Sequence, residues 1–306
     1  KHWVVERLAE LSRVFAIEVC AYAVLSNHYH VVLRVDHDKV RGFTEDQVIR
    51  RWRRLFSLPV LIERYQKGGS GPAESREAKR VIALWRARLG DLSWYMRGLN
   101  EYLARKANEE DQCKGRFWEG RYKSQALLDE AAVLTCMSYV DLNPVRAGIA
   151  TTPEDSDFTS IQQRIEHWQT RQRRQRRSRQ GNPEARELNK ATPQVVLMAL
   201  VKQRQDPHPQ ALGFTARDYL ELVDWAGRAI REDKRGAIPE HIPPILQRLK
   251  LNPESYLSHM QGRRGYLRHH PLALGSIENL KRLAQQLGQK FIRGQGQSLA
   301  LYRQAT

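Results

Sequence analysis

The chain has 306 residues, a length that favours two domains over one. Fifty-one Lys and Arg against 34 Asp and Glu give a net charge of +17 and a pI near 10.1, which points to a polyanionic partner, nucleic acid first among them. No stretch of sequence is apolar for long enough to cross a membrane, and three widely spaced cysteines without a CxxC pair suggest neither a disulfide framework nor a zinc site. Charge alone leaves a solubility surface or a ribosome-like basic protein as alternatives. Cys20 and Cys136 sit in apolar runs and read as small core residues, which suits a reducing cytoplasm.

In chain order, Val4, Leu8, Leu11 and Val14 recur at helical spacing and predict an amphipathic helix over 3–15. Residues 17–25 and 29–35 are short, apolar and rich in Val and aromatic residues, so two strands are expected with a turn at Ser26-Asn27. Residues 45–66 are basic, carry Trp52 and are expected to be helical, and Gly68-Gly69-Ser70-Gly71-Pro72 breaks the pattern. Helical spacing resumes over 75–108, with Leu84, Leu92, Met96, Leu99 and Leu103 as core positions. Residues 115–128 read as a loop leading into a strand. Asp129 then provides an N-cap for a helix over 130–142, which Pro144 stops or turns. Six arginines within 171–179, followed by Gly181-Asn182-Pro183, mark the strongest domain boundary, and 184–306 is mostly helical in pattern.

Two features carry chemistry. On a strand, residues i and i+2 share a face, so His28 and His30 project together while Tyr29 points away, and two neutral imidazoles so placed suit a divalent metal. Alone, an HxH pair is more often surface decoration or core. Further on, Tyr139 and Asn143 are four apart on the predicted helix, which puts a phenol and an amide one turn from each other. A phenol can attack a phosphate and remain attached to it, and an amide oxygen can complete a metal site. Taken singly, Tyr139 reads as a buried aromatic and Asn143 as a helix C-cap before proline.

Three ordered segments change the weighing. Ala-Tyr-Ala-Val-Leu-Ser-Asn-His-Tyr-His-Val-Val-Leu, Gly-Arg-Phe-Trp-Glu-Gly-Arg-Tyr-Lys-Ser and Tyr-Val-Asp-Leu-Asn-Pro-Val-Arg-Ala-Gly closely resemble the HUH single-tyrosine transposases, in particular the REP-associated tyrosine transposases. The resemblance covers residues 1 to about 165, with a longer stretch near 36–90 read as an insertion. It implies an α+β fold with a central antiparallel sheet, the ferredoxin/RRM-like HUH palm, and helices on one face. It further implies His28, His30 and Asn143 as ligands of Mg²⁺ or Mn²⁺, and Tyr139 as the nucleophile that leaves a 5′-phosphotyrosine and a free 3′-OH. The implied substrate is single-stranded DNA in repeated, palindromic hairpins. A monomer acting in cis is implied, with a dimer that exchanges the tyrosine helix as the alternative, in a bacterial, nucleoid-associated setting. Family members open on a strand with a Tyr-His-Val-type segment that is not found here, so an upstream segment is expected to be missing.

The domain expectation is accordingly a catalytic domain over 1–168, an Arg-rich linker over 169–183 and a helical accessory domain over 184–306 that helps recognise DNA. Arg116, Trp118, Arg121, Tyr122 and Lys123 interleave cations with rings, the usual physics of single-strand recognition. Arg146 is expected either to reach a phosphate or to pair with Asp141, and Arg174 and Arg177 represent the arginine run. A second basic cluster surrounds Trp52 at Arg50, Arg51, Arg53 and Arg54, and a third lies at Arg263, Arg264, Arg268, His269 and His270. Competing readings are an HUH replication initiator or relaxase, and a non-catalytic DNA-binding protein descended from a transposase. The Asn-Pro-Val-Arg-Ala-Gly segment after the tyrosine favours the transposase group over the former.

Overall fold

The computed structural model describes residues 1–179, 194–201, 211–230, 242–261 and 272–302. In chain order its elements begin with α1 (His2–Val14), β1 (Ile17–Val24), β2 (Tyr29–Val35), α2 (His37–Arg41), α3 (Glu45–Arg53), α4 (Val60–Gln66), α5 (Pro72–Leu89) and α6 (Leu92–Glu110). There follow β3 (Ala126–Leu127), α7 (Glu130–Asp141), α8 (Asn143–Arg146), α9 (Ser160–Arg179), β4 (Ala199–Val201), β5 (Ala211–Thr215) and α10 (Ala216–Ile230). The last are α11 (Pro244–Arg248), α12 (Pro253–Met260), β6 (Ala273–Leu274), α13 (Ile277–Gln286) and α14 (Gln295–Tyr302). Helices and short strands are mixed, as the α+β class requires. Among the described residues the strands pair only two by two: β1 with β2, and in parallel β3 with β6 and β4 with β5. A broader central sheet is not found among them, and β1 is met outside its pair only by single bridges, Val19 to Leu197 and Ala23 to Thr159. No described helix is long and apolar enough to cross a membrane.

The chain divides into two compact units, and the division falls within β1 and β2. The first holds Lys1–Val19, Leu33–Tyr122 and residues 194–197. Here α1 buries Leu8, Leu11 and Val14, as its spacing predicts, and packs on α6 at Gly98. A Cβ there would sit 3.3 Å from the Leu11 side chain, so glycine permits the close approach. Arg7 Nε donates to the Gly98 carbonyl at 3.0 Å. Residues 45–66 form two helices rather than one: Thr44 and Gln47 close a capping box on α3, and Pro59, which cannot donate to a preceding turn, opens α4. The α5 stripe is Ala78, Ile82, Trp85 and Leu89, at helical intervals that leave Leu84 on the outer side, 45% exposed rather than in the core. On α6, Met96, Leu99 and Leu103 are buried as expected, while Leu92 is only half-buried. The Trp52 cluster is structural at its centre. Trp52 stacks on Trp85 with ring centroids 5.0 Å apart, and Arg51 donates to the carbonyls of Arg13 and Val14, closing the end of α1.

The second unit holds Cys20–Val32 and the described residues of 123–179 and 198–302. One apolar core runs through it, from Cys20 and Leu25 through Leu134, Met137 and Phe214 to Leu301. This corrects the expected linear domain order: the carboxy-terminal helices share the core of the tyrosine helix instead of forming an accessory domain beyond a linker. The described part of the arginine-rich stretch is likewise helix, since α9 runs on to Arg179; its Gln and Arg residues are good helix formers with no Gly or Pro among them. Residues 180–193 and the basic group Arg263 to His270 lie outside the described residues.

Candidate functional site

The β1–β2 connection is built as its sequence predicts. Leu25 donates its backbone N–H to the His28 carbonyl at 2.9 Å, closing the turn over Ser26 and Asn27. His28 falls one residue before β2 and His30 lies within it, and the rings stand 5.0 Å apart at 85°. His28 is exposed and His30 half-buried. The Asn27 Oδ1 lies 2.7 Å from His28 Nδ1. An amide oxygen can only accept, so Nδ1 carries the proton and the Nε2 lone pair is the one left to bind a ligand.

Helix α7 starts at Asp129, whose carboxylate accepts the Ala132 N–H at 2.9 Å. It ends at Asp141, and Asn143-Pro144 opens the short α8, so Tyr139 and Asn143 lie on consecutive helical segments rather than on one. Proline suits the first turn of α8, and Gly148, at φ +68°, ends the turn where a side chain would be strained. Tyr139 is 3% exposed. Its ring lies 6.5 Å from that of His30 and 6.3 Å from that of His259, nearly perpendicular to both. The Arg146 guanidinium stands 3.8 Å above the ring centre and donates to Asn143 Oδ1 at 2.8 Å. Arg146 therefore belongs to the tyrosine cluster; the expected pairing with Asp141 is replaced by these contacts. Burial raises the Tyr139 phenol above its ordinary value, and the Arg146 charge draws it partly back. His259 is pushed down to about 4 by burial and by Arg146, and so is neutral at pH 7.

Asp141 explains why α7 holds this position. Its carboxylate is fully buried and accepts from Ser160 Oγ at 2.5 Å, the Ile161 N–H at 3.1 Å and the Tyr219 hydroxyl at 2.5 Å. Ser160 in turn accepts the Tyr22 N–H at 2.8 Å. One carboxylate thus ties α7 to β1, α9 and α10. The sequence presents Asp141 only as a possible partner of Arg146, because its actual partners are remote along the chain, and His259 has no local signal for the same reason.

The metal-ligand expectation can be weighed by donor chemistry. Among the described residues no three His, Cys, Asp or Glu side chains gather at metal-binding range, so any third ligand beside His28 and His30 would be of another type. Asn143 has the chemistry for it: it is 4% exposed, its oxygen retains a lone pair beyond the Arg146 bond, and its Nδ2 is buried with no hydrogen-bond partner. Two imidazoles and an amide oxygen would make a mixed nitrogen–oxygen donor set compatible with a divalent first-row ion, the amide oxygen being the donor type that Mn²⁺ favours.

Of the DNA-contact candidates, Arg146 is in the tyrosine cluster. Arg116, Phe117, Arg121, Tyr122 and Lys123 are exposed, while Trp118 is half-buried and donates its Nε1–H to the Asn100 carbonyl at 2.9 Å. Arg116 to Tyr122 belong to the first unit; Lys123 and the tyrosine cluster belong to the second. Arg174 is exposed on α9, and Arg177 lies on the same helix with its side chain outside the described part. Comparison with protein-family models, curated proteins and solved structures finds no match to this chain.

Proposed function

We propose that the protein is a metal-dependent single-stranded DNA endonuclease and strand transferase of the HUH single-tyrosine kind, with an HUH palm around the histidine pair and Tyr139 as nucleophile. The observation that carries this reading is the convergence of His28, His30, Tyr139 and Arg146, from two distant segments, around one buried phenol. Tyr139 Oη bonds to phosphorus, the bond to the 3′ oxygen breaks, and the phenolic proton ends on that leaving oxygen. Arg146, stacked on the ring, stabilises the phenolate against the cost of burial. His259, neutral beside the phenol, adds no second positive charge to the cluster. A divalent ion held by His28, His30 and Asn143 supplies positive charge at the scissile phosphate when bound. The phosphotyrosine retains the energy of the broken bond, so attack by another 3′-OH joins strands without a nucleotide cofactor. Repeated palindromic hairpins are the proposed substrates on the resemblance of the three motifs alone.

The test is direct. Incubation with end-labelled hairpin DNA and Mn²⁺, followed by denaturation and mass spectrometry, is expected to find the 5′ end of a cleaved strand on the peptide containing Tyr139. Strand attached to another residue, or cleavage with no adduct, sinks the assignment. His28→Ala is expected to abolish cleavage while salt-sensitive binding survives and stability changes by only about 0.5 kcal/mol, because the ring is exposed. Unfolding of that variant would instead make His28 structural. The burial of Tyr139 favours one second reading, a DNA-binding protein that no longer cuts; binding without an adduct would select it.

A further inference from the structure

A cleft of about 340 Å³ lies in the second unit, between α12 and α14. Ser255, Ser258 and His259 line it from one helix, and Gly296, Gln297, Ala300 and Leu301 from the other. Its volume is that of a pocket for one small ring system, at the low end of ligand sites. Ala300 and Leu301 offer an apolar wall, and the His259 ring offers an aromatic one. The polar lining is not satisfied from within: Gln297 Oε1 is buried and has no hydrogen-bond partner. A buried acceptor left this way is costly unless a ligand donor completes it. At Gly296 a Cβ would meet nothing within 4 Å, so the cleft is open where a side chain would partly fill it. His259 is common to this cleft and to the tyrosine cluster, its ring 6.3 Å from that of Tyr139.

Resting on the DNA-cleavage reading above, we propose that this cleft seats one unstacked nucleobase of the substrate strand, next to the phosphate that Tyr139 attacks. The base lies against His259 and the Ala300–Leu301 wall, and its edge donates to Gln297 Oε1. That orphan acceptor favours a base with an exocyclic amino group over thymine, whose one edge donor, N3–H, is flanked by two carbonyl oxygens that repel another acceptor. The cleft thereby positions the strand, while phosphate contacts elsewhere supply affinity without choosing a base.

The experiment measures binding of the full chain to three fluorescein-labelled 12-mers, oligo(dC), oligo(dT) and an abasic strand, by anisotropy in Mn²⁺. Oligo(dC) is expected to bind about tenfold tighter than the abasic strand and about fivefold tighter than oligo(dT). Gly296→Phe, which fills the cleft, reduces both margins towards parity, and Gln297→Ala removes only the preference for oligo(dC) over oligo(dT). Retention of both margins in a Gly296→Phe protein with the parent's melting temperature overturns the proposal, as does equal binding of all three strands by the parent. Should Gly296→Phe fail to fold, the Gln297→Ala margins decide alone. Failure of the covalent chemistry is separate: an absent Tyr139 adduct with the base margins intact leaves the cleft assigned and removes only the nuclease.

Discussion

Replacement of Tyr139 by phenylalanine is expected to reduce cleavage and adduct formation by about 10⁴-fold or more while leaving the melting temperature nearly unchanged. The variant keeps the ring, and with it the edge contacts to His30 and His259 and the stacked Arg146 guanidinium. Only the oxygen that would bond to phosphorus is lost. A phenol that served packing alone would give a different result, since its removal would leave any cleavage intact. Adduct yield on denaturing gels and single-turnover cleavage rates, read beside a thermal melt, separate the two. Residual cleavage at the parental rate would move the nucleophile elsewhere.

The second large effect is on stability. Asp141→Ala is expected to destabilise the protein by about 3 kcal/mol or more, lowering the melting temperature by about 6–12 °C. The loss strands the hydroxyls of Ser160 and Tyr219 and the Ile161 N–H in a dry interior. Asp141→Asn keeps an acceptor oxygen and is expected to cost about 1 kcal/mol. Its pH dependence is the sharper readout. Burial pushes the Asp141 carboxyl up to about 6 from an ordinary 3.8, so its contribution to stability is lost as pH rises through that window. His259, pushed down to about 4 from 6.5, contributes stability that is lost as pH falls. In the parent the two slopes oppose between pH 4 and 6. In Asp141→Asn only the histidine slope remains, so unfolding free energy from urea titrations should climb steadily from pH 4 to 6.5. A flat profile in that variant would show that His259 is not held neutral by the fold.

Local signals were readable wherever the causes are local. Short apolar runs rich in Val and aromatic residues mark β1 and β2, a short turn pairs them, and Asp129 announces α7 because a cap acts on a backbone N–H three residues away. His28, His30 and Tyr139 were legible as chemistry because they fall in compact motifs. Leu84 was misplaced because apolar residues also occur off the buried stripe, and only packing decides which stripe is buried. His259 and the Asp141 partners carry no local motif at all; their roles exist only once distant segments meet. The same limit produced the linear domain order, since an arginine run looks like a boundary in sequence whether or not one core spans both of its sides.

The cap of α7 has a consequence for how the protein is made. Asp129 accepts not only from Ala132 but also from the Ser276 N–H at 2.7 Å, Asn279 Nδ2 at 3.1 Å and the Tyr302 hydroxyl at 2.5 Å. The helix that carries Tyr139 is therefore fastened by residues synthesised long after it. While the ribosome is still translating that stretch, the tyrosine helix lacks its final clasp and the core lacks α10 to α14. On the proposed reading of Tyr139 as nucleophile, a nascent chain therefore lacks a finished site until the residues up to Tyr302 have joined the core.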